Sequence, residues 1–155
     1  MVFAIIILNE WGFIMAMNQK TGHFLAAFIF IIFSAIALKG LFTAQPGDEN
    51  VYYYMGKMVS EGHVPYRDFF YAHPPLQLYL MAPIFKIFGF NIVILKLIPL
   101  ISTITAGFFL YLTARNMFGS GKALISLALF LFSYSAMFNS VFSFGIELAV
   151  MFLVI

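Results

Sequence analysis

FLAAFIFIIFSAIALKGLF, residues 24–42, contains one charged side chain, Lys39, and that lies near its end. About 20 mostly apolar residues span the hydrocarbon core of a bilayer as a helix. A lysine near the end of such a helix can extend its ammonium to the interface. This stretch therefore predicts a transmembrane helix. The rest of the chain agrees with it. It is 63% hydrophobic and only 9% charged, with a mean hydropathy of +1.00. A soluble domain carries roughly 25% charged residues. A soluble fold of 155 residues could not hide so much apolar surface, so lipid is the expected solvent for most of it.

Further spans follow. Residues 92–113, built on IVILKLIPLISTITAGFFLYL, form the second, with Pro99 inside, as membrane helices tolerate. Residues 123–139, built on ALISLALFLFSYSAMF, form the third, and residues 141–155 begin a fourth. That last stretch ends on ELAVMFLVI with no polar or basic flank, where a spanning helix ordinarily meets interfacial anchors. The expectation is that the chain is the N-terminal part of a longer protein. Residues 1–23 form a cytoplasmic N-terminal segment in this reading. Their apolar start is interrupted by Asn9 and Glu10 and has no basic residue before it, so it makes a poor signal peptide. Met15 or Met17 is a candidate true start, and an interfacial helix is the alternative.

The fold class is thus all-α, polytopic, with an external loop of short interfacial helices between the first two spans. Orientation follows the excess of Lys and Arg in cytoplasmic loops. Lys20 precedes the first span, and Arg115 and Lys122 flank the turn at residues 114–122, with no acid in either segment. The N-terminus is expected in the cytoplasm, the loop of residues 43–91 outside the cell or in a lumen, and the protein in the cell membrane. The net charge of +2 argues against nucleic acid as a partner. The absence of cysteine excludes disulfides and thiolate metal sites.

The loop concentrates the polar chemistry. Residues 47–76, GDENVYYYMGKMVSEGHVPYRDFFYAHPPL, hold Asp48, Glu49, Lys57, Glu61, Arg67 and Asp68, together with His63 and His73. QPG at residues 45–47 signals a turn. Asp48 then falls at a helix N-cap and Glu49 in the first turn, where acids are favoured. Val51, Met55, Met58 and Val59 recur at helical spacing, so an amphipathic helix lying on the membrane is expected, ended by Gly62. The prolines of HVPYRDFFYAHPPL predict an extended run. Pro75 is expected to open an apolar helix that Pro83 bends or breaks.

The candidate site residues each have a plainer reading. Asp48 suits a cap, and Glu49 the helix dipole. Tyr52 and Tyr53 suit an interfacial aromatic belt. Arg67 can simply pair with Asp68, yet it is also the loop's best bidentate phosphate donor. His73 between aromatics and prolines reads as a buried, hydrogen-bonded positioner. His63 and His73 make a weak zinc pair, and no metal-ligand set stands out. Glu147, inside a span, is a functional candidate by default.

In order and spacing these elements resemble the opening of GT-C membrane glycosyltransferases, the set related to dolichyl-phosphate-mannose protein mannosyltransferases and the bacterial aminoarabinose transferase. The resemblance rests on Asp48-Glu49 with Tyr52 or Tyr53, GHVPY at residues 62–66, HPPL at 73–76, IFG at 87–89 and ARNMFG at 114–119. It implies an enzyme that moves a sugar from a polyprenyl-phosphate donor to a glycan, lipid or protein acceptor on the outer face, by an inverting displacement. It implies catalytic roles for Asp48 and Glu49, with Asp48 as base, and substrate binding by Tyr52, Tyr53, Tyr66, Arg67 and His73. No cofactor is implied, although some relatives use a divalent metal. Family members are several times longer, so this chain alone is expected to be inactive. Two other classes compete. A transporter or flippase would line a path with charges in its spans, Lys96 and Glu147 being the candidates. A non-catalytic membrane subunit would need the aromatic surface but not Asp48.

Overall fold

The computed structural model describes residues 18–42, 48–142, 150–151 and 153. It is all-α. Among the described residues there is no strand, only a bridge between Pro65 and Phe69. Helix α1 spans Gln19–Leu41, α2 Asp48–Ser60, α3 Leu76–Phe88, α4 Ile92–Leu95, α5 Leu97–Phe118, α6 Ser120–Leu131 and α7 Tyr134–Asn139.

Two stretches are long and apolar enough to cross a membrane, Gln19–Leu41 and Ile92–Phe118. At 1.5 Å per residue α1 is about 34 Å long, enough for the hydrocarbon core. It starts earlier than its apolar run because the Asn18 side chain accepts from the Lys20 N–H and caps it. Phe24, Phe28 and Ile31 face outward, as lipid-facing side chains do. The second stretch is divided at Lys96, between α4 and α5. Pro99 explains the division: it has no N–H to offer the Leu95 carbonyl one turn back.

Helices α1, α5 and α6 pack together. Their shared core includes Ala26, Phe33, Ala37, Ala114, Ala123 and Leu127. Small residues on these faces let the backbones approach, the usual basis of helix association in lipid. Gly107 is such a place, since a Cβ there would meet Leu131 at 3.1 Å.

The third expected span, residues 123–139, is divided. Helix α6 stops at Leu131, and α7 starts after Ser133, whose ψ of 146° leaves the helical region. The Ser133 hydroxyl donates to the Phe130 carbonyl at 2.8 Å and accepts from the Ala136 N–H at 3.2 Å, so one side chain closes α6 and caps α7. Residues 1–17 and most of the expected fourth span, Glu147 included, lie outside the described residues.

The loop is folded. Helix α2 ends as expected, in the Schellman pattern. The His63 N–H bonds the Met58 carbonyl and the Gly62 N–H the Val59 carbonyl, both at 3.0 Å, with Gly62 at φ 101°. Helix α3 begins one residue after Pro75, whose carbonyl accepts from Tyr79 at 3.1 Å. It then runs through Pro83 without breaking, contrary to one of the two expectations for that residue.

Candidate functional site

Helix α2 presents Glu49, Tyr53, Gly56 and Val59 inward. These positions recur every three or four residues and so form one stripe. It differs from the stripe expected from Val51, Met55, Met58 and Val59. Val51 is exposed, and Met55 and Met58 are only partly covered. The partner is α3 rather than the membrane alone. Tyr53 packs with Met81, Phe85 and Leu95, and Val59 with Tyr71, Leu78 and Ala82. Gly56 permits the contact, since a Cβ there would lie 3.0 Å from the Met81 sulfur and 3.1 Å from the Phe85 ring.

Within this stripe Glu49 is 2% exposed. Tyr53 donates its hydroxyl to Glu49 Oε1. Lys96 Nζ, also buried, lies 3.7 Å from Glu49 Oε2 and 5.9 Å from the Phe142 ring centre. Burial, followed by the Glu49 hydrogen bond and charge, pushes the Tyr53 pKa far above its ordinary value, so the phenol stays protonated. A buried charge is costly unless it is paired and hydrogen-bonded. Glu49 and Lys96 meet that need for each other and join the first turn of α2 to the junction of α4 and α5. Glu49 and Tyr53 therefore face the packed interior of the loop and not the solvent. Both candidate site residues, Glu49 expected in the catalytic group and Tyr53 in substrate binding, stand in the core.

Asp48 is the first residue of α2. Its side chain lies outside the described residues, and so does its expected capping bond. It directly precedes the clamped Glu49 in sequence, so the clamp fixes the backbone beside it.

A second group runs from the loop's interior to its surface. Tyr52, Tyr71 and His73 form a three-ring cluster with edge-on contacts at 5.6–5.9 Å between ring centres. The Tyr52 hydroxyl lies 3.0 Å from His73 Nε2, and the Tyr66 hydroxyl donates to the His73 carbonyl at 2.5 Å. Burial, with Tyr52 and Tyr66 nearby, pushes the Tyr71 pKa up to about 12. His73 is hydrogen-bonded as expected, but its side of the cluster is exposed rather than buried.

Residues 64–69 turn back on themselves where an extended run was expected. The Asp68 carboxylate accepts from the Val64 N–H at 2.7 Å, and the Asp68 N–H bonds the Val64 carbonyl at 2.9 Å. Tyr66 adopts φ 66°, a left-handed conformation uncommon outside glycine. The prolines constrain Val64, His73 and Pro74, and they leave residues 66–68 free to turn. Arg67 forks onto Asp68 with two bonds of 2.8 Å. The guanidinium, followed by the Val64 amide, holds the Asp68 carboxyl well below the usual carboxylate range. His63 Nδ1 stands 4.0 Å from the same carboxylate. Arg67 is open to solvent, with much of its fork taken by Asp68. Among the described residues, no three His, Asp or Glu side chains gather as a metal site.

Residues 72–155, more than half of the chain, match the dolichyl-phosphate-mannose-protein mannosyltransferase family. The chain belongs to that family. No curated protein and no solved structure matches it. The mannosyltransferase match starts at Ala72, so it takes in His73, α3 and the helices after it, while Asp48, Glu49 and Arg67 lie upstream. It makes the chain part of a membrane glycosyltransferase family and agrees with the GT-C resemblance. Lys96, inside the matched region, was a candidate for a charged transport path. It is instead buried against Glu49 beneath the loop. The sequence contained a signal for this contact: a lysine inside an apolar run needs a partner, and the loop is rich in acids.

Proposed function

We propose that the protein transfers a sugar from a polyprenyl-phosphate-linked donor to a glycan, lipid or protein acceptor on the outer or lumenal face of the membrane, with Asp48 as the base. The family match over residues 72–155 carries this reading. The reaction breaks the bond between the anomeric carbon and the phosphate oxygen. The acceptor oxygen attacks from the opposite face, its proton passes to the Asp48 carboxylate, and the bonding pair leaves with the polyprenyl phosphate. One displacement inverts the anomeric centre, so one well-placed carboxylate is enough. Cationic donors stabilise the departing phosphate. Arg67 is the loop's candidate, reaching the phosphate by rotating off Asp68.

In this reading Glu49 is a positioning residue. With Lys96 and Tyr53 it holds the start of α2 at the membrane surface, where a lipid-linked headgroup would lie. The exposed Tyr66 and His73, with the half-buried Tyr52, would contact donor or acceptor. The test is Asp48→Asn in the full protein, assayed with lipid-linked sugars. Transfer is lost while membrane insertion persists. Full transfer by this variant would remove Asp48 from the mechanism.

A further inference from the structure

The end of the spans remote from the loop has a chemistry of its own. Lys20, His23, Arg115 and Lys122 stand there, and residues 18–23 and 114–122 contain no Asp or Glu. Arg115 Nη1 lies 2.9 Å from His23 Nε2. A guanidinium can only donate, so the histidine nitrogen accepts and brings no neutralising charge. Helix α6 begins here after Gly119, with no side-chain cap and no acid in its first turn. Its first N–H groups have no intrahelical partners, and they lie at the positive end of the helix dipole.

A second observation converges on the same place. Tyr111 is 2% exposed, and its hydroxyl is buried without a hydrogen-bond partner. A Cβ placed on Gly22 would lie 3.4 Å from that hydroxyl, 3.0 Å from Ser120 Cβ and 3.3 Å from Ser120 Oγ. The unsatisfied hydroxyl therefore faces the seam between the first turn of α1 and the first residue of α6. A buried unpaired hydroxyl is costly, and a ligand acceptor at this seam would relieve it.

We infer that this seam binds a phosphate group, carried by an anionic lipid in the adjoining leaflet and held by Arg115, Lys122, the amino end of α6 and the Tyr111 hydroxyl. Phosphate accepts from backbone N–H groups and guanidinium together. Basic pockets between membrane helices take lipid headgroups by the same chemistry. The site is separate from the loop and does not depend on the transfer reaction.

The test follows the melting temperature of the full protein in neutral detergent during titration with phosphatidylglycerol, phosphatidylcholine or inorganic phosphate. Phosphatidylglycerol is expected to raise it saturably, and phosphatidylcholine to do so far less. Arg115→Gln and Lys122→Gln should each weaken the phosphatidylglycerol response about tenfold, the worth of one charge-assisted contact. Tyr111→Phe keeps the ring, and should lose part of the response. Lys57→Gln, on the loop, should keep it all. Inorganic phosphate competing with the lipid identifies the phosphate itself as the group bound. An inert phosphate with an active lipid identifies the lipid as the source. Equal responses to both lipids with no response to phosphate would overturn the proposal. So would a wild-type response in both Arg115→Gln and Lys122→Gln.

Discussion

Glu49 and Asp48 are neighbours in sequence with opposite fates. Glu49 is sealed against Lys96 and Tyr53, while Asp48 heads the helix. Removing the ammonium with Lys96→Met should destabilise the fold by about 3 kcal/mol, the usual cost of breaking a buried pair from one side. Glu49→Gln combined with Lys96→Met should recover much of that loss in a double-mutant cycle of melting temperatures. Tyr53→Phe should cost about 2 kcal/mol, as expected for a hydrogen bond to a charged group. Asp68 sets a pH dependence. Its folded pKa lies below the ordinary 3.8, so its contribution is complete above that pH and fades as pH falls toward the folded value. The Val64 amide signal should report the turn loosening on acidification, and Asp68→Asn should loosen it at neutral pH.

Helix α2 shows how a stripe can be misread. Its sequence offers both a Val51–Met55–Met58 face and a Glu49–Tyr53–Gly56 face, and hydrophobicity favours the first. The second wins because Gly56 lets α3 come close and because Glu49 finds a cation. Gly56→Val should therefore push α3 away, costing about 1–3 kcal/mol by overpacking, partly offset by better helix propensity. Hydrogen exchange should quicken across α2 and α3 while α1 and α5 stay protected. Gly62, by contrast, was legible, because a helix stop through a left-handed residue is local chemistry. The division of the third span at Ser133 was obscured because serine is tolerated within membrane helices. Only its two hydrogen bonds mark it as a break.

Across the molecule, the packing of α1, α5 and α6 puts the folded loop at one end and the basic turn at the other. From the distribution of Lys and Arg, that turn is expected in the cytoplasm. The chain has no cysteine, so single reporters are clean. Glu61→Cys should react with a membrane-impermeant maleimide in intact cells. Asn116→Cys should react only after permeabilisation. The reverse pattern would invert the topology and remove the outer-face acceptor from the proposed function.

Composition and apolar runs were sufficient to indicate an all-α membrane protein with a polar loop between its first two apolar helices, because burial in lipid depends on hydrophobicity summed along the chain. They also suggested a continuous third span, which the structure divides at Ser133. The order of short motifs in the loop was sufficient to suggest the glycosyltransferase family. Tertiary structure decided which acid is buried, which face of α2 is covered, and that His73 is held in a ring cluster at the surface. Those outcomes depend on partners distant in sequence. Lys96 meets Glu49 only when α2 docks on α3 and on the start of the second span, so the sequence signals that Lys96 needs an acid but not which acid it meets.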